Sequence, residues 1–378
     1  MVSLEKCENY SYNVVKDAVV ASINALGGIE KFVNKGDKVV IKPNLIMGKK
    51  PDLCATTHPS IVRAVCELVI SLGAEAIIAE SPGGPYTKAL LSRVYDTCGI
   101  TDVAKETGAI LNFSTDVVEV DNPEGEICKK FTIIKPIVDA DCVIDICKLK
   151  THGMTLYTGA VKNLFGVIPG TDKVEYHFRM PEKMDFCNML VDICECVKPR
   201  LCIMDAVFGM EGAGPTSGTP IKTGLIMASD NAYEMDVLGL SLVGYESDEI
   251  FTAKNAARRG ICNKMPCEIE TIGEDYTNYI KDYKKPVSRE LSFVDKMPKF
   301  FKPIVDKAIK PKPVFNASKC IGCGECARSC PAKVISIKNK KAEVDLSGCI
   351  RCFCCQELCP IEAVKIERTW VMKLISKI

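Results

Sequence analysis

Two short cysteine runs constrain this chain more than any other feature: Cys320-Ile-Gly-Cys323-Gly-Glu-Cys326-Ala-Arg-Ser-Cys330-Pro331 and Cys349-Ile-Arg-Cys352-Phe-Cys354-Cys355-Gln-Glu-Leu-Cys359-Pro360. Each spells C-x2-C-x2-C-x3-C-P. In that spacing three thiolates on a tight loop grip three irons of a 4Fe–4S cubane, and the fourth, at a helix start, serves the other cluster. Cys320, Cys323, Cys326 and Cys359 are therefore assigned to one cluster, and Cys349, Cys352, Cys355 and Cys330 to a second. Zinc closes at four ligands on paired hooks, so eight thiolates in two like runs leave no simple zinc assignment. Cys354, between two ligands, reads as a small buried residue rather than a substitute ligand.

A chain of 378 residues suits one large domain and a small one. The formal net charge of +1, without a basic stripe or a helix-turn-helix pattern, argues against nucleic acid as a partner. Nine of the 22 cysteines lie in the cysteine-rich module. The other thirteen would mispair in an oxidising compartment, which points to the cytoplasm of a reducing, anaerobic cell. The first ten residues contain no apolar signal core, and no apolar run approaches the ~20 residues of a transmembrane helix.

Between Tyr279 and Pro313 ten lysines and arginines face four acids, a net +6. This stretch reads as a solvated, proline-containing linker, with a docking surface for an acidic electron carrier as the alternative. The expected organisation is an α/β domain over 1–280, the linker over 281–315, a cluster module over 316–369 and a short amphipathic tail over 370–378, with Trp370 packing on the body.

In the large domain, apolar runs at Lys38–Asn44, Ala76–Glu80, Cys142–Cys147 and Leu201–Val207 alternate with segments of helical periodicity. That alternation predicts a mostly parallel sheet covered by helices. Ligands of open α/β sheets bind beyond the carboxyl ends of the strands. The rule gathers Lys42, Asn44, Glu80, Ser81, Lys148, Lys150, His152 and Asp205, with Glu211 and Gly212 in the glycine-rich loop that follows. This mixture suits a small polar or anionic metabolite.

Of three histidines, His152 stands after a strand beside two lysines, where it either trades protons near neutral pH or caps a turn. His58 precedes a proline at a helix start and reads as structural; His177 is open to either role. Lys162 and Asn163 open a helix, which suits an anion or a structural cap. Neither a Walker motif nor G-x-G-x-x-G occurs, and no flavin signature is evident.

Residues 316–369 resemble the bacterial two-cluster ferredoxins, with all eight ligands in place. Their helix-turn-to-strand segments Ala332–Ile337 and Glu362–Ile366 form an internal repeat, an α+β ferredoxin-like domain. Residues 1–275 resemble the domain-of-unknown-function 362 family through Val40-Ile-Lys-Pro-Asn44, Glu80-Ser81, Lys148-Leu-Lys-Thr-His152, Gly159 to Gly166, Met204-Asp205-Ala-Val207 and Met210 to Pro215. His152, Lys162, Pro169 and Gly170 also show a weaker similarity to a segment of the nickel-pincer lactate racemases, without the remaining catalytic pattern.

The expected function is electron transfer through two 4Fe–4S clusters to or from a small substrate in the α/β domain. His152, Lys150, Lys162 and Asp205 would carry the chemistry, and Lys42, Asn44, Glu80, Ser81, Lys148, Asn163, Glu211 and Gly212 would bind the substrate. The alternatives are a ferredoxin-like carrier or maturation factor without chemistry of its own, and a non-redox enzyme with structural or sensory clusters.

Overall fold

The computed structural model describes residues 1–263, 265–287 and 311–367. Most of the basic linker, the tail 370–378 and the packing expected of Trp370 lie outside the described residues.

The large domain is built on β1 (Val2–Lys6), β2 (Lys38–Pro43), β3 (Glu75–Ile78), β4 (Ile110–Leu111), β5 (Val117–Asp121), β6 (Lys130–Ile134), β7 (Cys142–His152), β8 (Leu156–Thr158), β9 (Leu201–Glu211), β10 (Thr219–Ser229) and β11 (Thr271–Gly273). The main sheet runs β11-β1-β10-β9-β7-β2-β3-β4, with β8 added to β7; β5 and β6 form a separate antiparallel ribbon. The β9-β7-β2-β3-β4 half is parallel throughout, and β10 closes the other half antiparallel to both β1 and β9. Central β7 is buried at all eleven positions, which is why its first six residues read as an apolar run broken only by Asp145, with the other polar residues towards its end.

Alternation along the strands feeds two cores. Val39, Ile41, Ile144 and Ile146 join the layer of the helices Tyr12–Ala25 and Pro59–Ser71, while Val40, Val143, Cys147 and Leu149 join that of Lys183–Val197 and Ala232–Leu242. Each fully buried Val, Leu or Ile contributes about 1.5–3 kcal/mol. Pro59–Ser71 starts where the sequence signals it, with Pro59 in the first turn and the His58 Nδ1 accepting from the Ser60 N–H at 3.2 Å.

The C-terminal module pairs β12 (Lys312–Phe315) with β15 (Val364–Glu367) and β13 (Ile335–Lys338) with β14 (Lys341–Val344), around the one-turn helices Glu325–Arg328 and Cys354–Glu357. Both ends of the expected linker are thus structured. Lys312–Phe315 pair across the module, and Tyr283 is buried on the large domain with its hydroxyl 2.6 Å from Thr223 Oγ1. A large aromatic ring with a partnered hydroxyl outweighs the surrounding lysines.

Polar contacts that dock the module onto the large domain include Lys49 Nζ to Glu362 at 2.8 Å, Gln356 Nε2 to the Ala213 carbonyl at 3.2 Å, and Thr216 Oγ1 to the Glu357 carbonyl at 3.1 Å.

Candidate active site and cluster-binding loops

The seam between domain and module holds a cavity of about 750 Å³, counting its open mouth. The ends of β2, β3 and β7 and the segment 158–177 form most of its wall, and Cys354, Glu357 and Leu358 of the module close it. Asn44, Glu80, Ser81, Lys150, His152, Lys162 and Asn163 all line it.

Lys150 is buried, and its Nζ donates to Asn44 Oδ1 at 3.0 Å and to the Ala55 carbonyl at 2.7 Å, both neutral acceptors. Burial, followed by the neighbouring Lys162 and Lys148 charges, pushes it down to about 7. Lys162 has no carboxylate partner among the described residues; its Nζ lies 5.7 Å from the Phe165 ring centroid, and burial lowers it too. Lys173 donates to the Ser81 carbonyl, and burial brings it down to about 7 against the pull of Glu80.

Lys42 stands behind this wall, wholly buried and paired with Glu80 at 2.7 Å. Gly166 permits that packing, because a Cβ there would lie 2.1 Å from Glu80 Oε1. Asn163 Nδ2 donates to the buried Asp145 at 2.8 Å, whose carboxyl is raised to about 8 by burial.

His152 sits at the end of β7, 1% exposed. Its Nδ1 accepts from the Met154 and Thr155 N–H groups at 3.0 and 3.3 Å, so the neutral ring carries its proton on Nε2. That Nε2 faces Glu357 Oε1 at 3.4 Å without forming a hydrogen bond. Burial and the lysine charges keep the ring neutral, far below the usual histidine range. Glu357 is pushed up to about 7 by burial, against the pull of Lys162 and Lys150. His152 Nε2, Glu357 Oε1, Ser81 Oγ and His177 Nδ1 all come from cavity-lining residues, and all are buried without a hydrogen-bond partner among the described residues. Unpartnered polar atoms on several residues that line one cavity are what a site for a polar ligand would offer.

Four expected site residues lie elsewhere. Lys148 and Asp205, both wholly buried, pair with each other at 2.9 Å. Tyr10 Oη donates to Asp205 at 2.7 Å and accepts from Lys148 at 2.7 Å, and the His58 N–H completes the set at 2.9 Å. Tyr10 in turn stacks on His58, ring centroids 3.7 Å apart. Glu211 is engaged by the backbone and side chain of Lys284, both at 2.9 Å, and Gly212 by the Lys284 carbonyl at 2.8 Å. The helix start expected to hold an anion is also taken: Asp236 accepts from the Ala160 and Val161 N–H groups at 2.7 and 3.1 Å. Sequence reasoning missed Lys173, Thr158 and Glu357 as lining residues and left His177 undecided. Gly170 itself packs on the loop after β3, where a Cβ would lie 2.0 Å from the Gly84 carbonyl.

In the module, one void of about 340 Å³ is lined by Cys320, Cys323, Cys326 and Cys359, and another of about 340 Å³ by Cys330, Cys349, Cys352 and Cys355. The remaining walls are largely apolar. Each tetrad thus lines a space of its own. The Ala342 and Ala363 N–H groups donate to Cys320 and Cys359 Sγ at 3.4 and 3.2 Å, as suits thiolates. Donor set, space and N–H···S contacts all fit cubane clusters. Cys354 lines neither void; it is buried at the cavity wall.

An α/β domain with a cavity walled on one side by a cysteine-rich module defines a two-part protein, and comparison with known proteins matches both parts. A 4Fe-4S dicluster domain matches residues 312–360. The model described as "Domain of unknown function (DUF362)" matches residues 39–241, more than half of the chain, which belongs to that family.

Thylakoid-associated protein sll1697 from Synechocystis sp. (strain ATCC 27184 / PCC 6803 / Kazusa) is 30% identical over 268 residues, covering 69% of this chain and 79% of that protein. Among solved structures, the lactate racemase apoprotein from Thermoanaerobacterium thermosaccharolyticum is similar over 62% of this chain and 55% of its own, with 13% identity and a TM-score of 0.38. No helix among the described residues is long and apolar enough to cross a membrane.

Proposed function

We propose that this chain is an iron–sulfur redox protein that moves electrons between its clusters and a small anionic substrate in the seam cavity. One observation carries the reading: the cavity wall includes Cys354, Glu357 and Leu358, which lie within the cysteine run, no more than two residues from the ligand candidates Cys355 and Cys359. A ligand there is held against the loop that grips iron. Bound clusters supply low-potential, one-electron steps.

The chain's own residues do the rest. Lys150, Lys162 and Lys173 offer positive charge to an anion, and Ser81 and His177 offer unsatisfied polar atoms. His152, with its proton fixed on Nε2, is oriented to donate. Glu80 is already neutralised by Lys42, so the cavity favours anions over cations.

The test is an anaerobic redox titration followed by electron paramagnetic resonance, with small carboxylates and phosphates added to the reduced protein. Reversible reduction by a low-potential donor, and a ligand-dependent change in the cluster signal that Lys150→Met abolishes, are expected. Clusters that no low-potential donor reduces reversibly would overturn the reading.

A further inference from the structure

A cavity walled on one side by the module exchanges electrons through that module only if another of its faces meets a donor or acceptor. The eight ligand cysteines are not equally covered. Cys323 alone among them is exposed; Cys326, Cys330, Cys355 and Cys359 are buried, and Cys320, Cys349 and Cys352 are intermediate. Next to Cys323 the loop carries Ile321, which at 63% is the most exposed of the large hydrophobic side chains among the described residues. Ile337, 38% exposed, lines the same void from β13.

The rim of this apolar spot is positive for a local reason. β13 and β14 are joined by Asn339 and Lys340, both in the left-handed region at φ 48° and 59°, the two-residue geometry that matches strand twist. That tight turn brings Lys338, Lys340 and Lys341 beside the cluster loop. The Lys340 carbonyl packs so closely on Gly322 that a Cβ there would lie 2.5 Å away, and Lys341 Nζ donates to the Cys320 carbonyl at 2.7 Å. Lys319 precedes the first ligand. Nearby acids are already engaged: Glu325 with Arg328 at 2.7 Å and Glu343 with Lys338 at 3.4 Å. Lys319 and Lys340 are exposed and have no carboxylate partner among the described residues.

We propose that this face, centred on Ile321 and Cys323 and ringed by Lys319, Lys340 and Lys341, is the docking surface for an acidic one-electron carrier protein. The inference rests on the redox reading of the seam cavity. It places the electron port on the exposed edge of the first cluster rather than on the basic linker. An apolar centre ringed by unpaired lysines complements a carrier whose own redox centre is ringed by carboxylates. The exchange is one electron per encounter: the carrier is oxidised as a cluster is reduced, or the reverse, and no bond is made.

The experiment uses the full-length, cluster-loaded protein and a negatively charged flavodoxin reduced to its hydroquinone, mixed anaerobically in a stopped-flow spectrometer. Cluster bleaching is followed at low and high ionic strength. The wild-type rate constant should fall as salt is raised, and the exposed pair Lys319→Glu with Lys340→Glu should lower it about tenfold at low ionic strength while flattening the salt dependence.

Ile321→Ser should slow transfer at both ionic strengths. Reduction by dithionite reports cluster integrity and should be unchanged in these variants. The control pair Lys129→Glu with Lys130→Glu, on the separate β5–β6 ribbon, alters the net charge equally and should leave the flavodoxin rate unchanged. Equal slowing by both pairs, or by neither, overturns the docking face alone. A wild-type protein that dithionite cannot reduce overturns the redox reading, and the port with it.

Discussion

Lys148 and Lys150 stand two residues apart on β7, both about 1% exposed, yet they belong to different kinds of site. Lys148 has a carboxylate, Asp205, and a phenol, Tyr10, so its charge is matched within the chain. Lys150 has only an amide oxygen and a carbonyl, so its charge is held but not matched. The shift in register between β7 and β9 at these positions helps to separate the two surroundings. A buried cation neutralised by its own chain is architecture, whereas one left with neutral partners beside a cavity is an offer to a ligand.

The sharpest way to break this contrast is Lys148→Ala. Leaving Asp205 buried without its counter-charge should cost about 3–5 kcal/mol, read as a lower melting temperature and denaturation midpoint. If Lys148→Ala melts like the wild type, the ion pair is not architecture. Lys150→Met should be milder for the fold, about 1–3 kcal/mol for the acceptors of Asn44 and Ala55 left without a donor. Its binding of small anions, measured by calorimetry, should fall about tenfold or more.

Next in size is a pH effect. Lys150 and Lys173 are both depressed to about 7, so an anion that needs them charged should bind progressively more weakly above pH 7, by up to about tenfold per pH unit for each lysine that must be recharged. Because the folded-state value lies below that of free lysine, the Lys150 contribution to stability has the opposite sense. It is fully present above the ordinary lysine range and is lost as pH falls towards 7. Binding that strengthens from pH 7 to 9 would contradict the assignment. The smallest effect belongs to Lys284→Ala, which removes a largely exposed partner of Glu211: roughly 0–1 kcal/mol of stability and no change in anion affinity.

The cluster loops were legible because thiolate spacing along one loop is local chemistry, and each set of four assigned from it lines one void. The parallel half of the sheet was legible for the same reason, from buried apolar runs such as Cys142–Cys147. The strand-end rule located the cavity but not its membership. It gathers residues by position along a strand and is blind to what approaches from elsewhere. Asp205 and Glu211 sit near the end of β9 as required, but Tyr10, His58 and Lys284 reach them from distant parts of the chain. Glu357 was hidden for the converse reason: it belongs to the module by sequence and to the cavity by docking.

The seam has one more consequence. Iron ligation and folding of small cysteine-rich modules are coupled, so loss of the clusters is expected to disturb the wall that carries Glu357 and Leu358 and to widen the cavity's mouth. Under the function proposed above, oxidative damage to the module would then weaken anion binding along with electron flow.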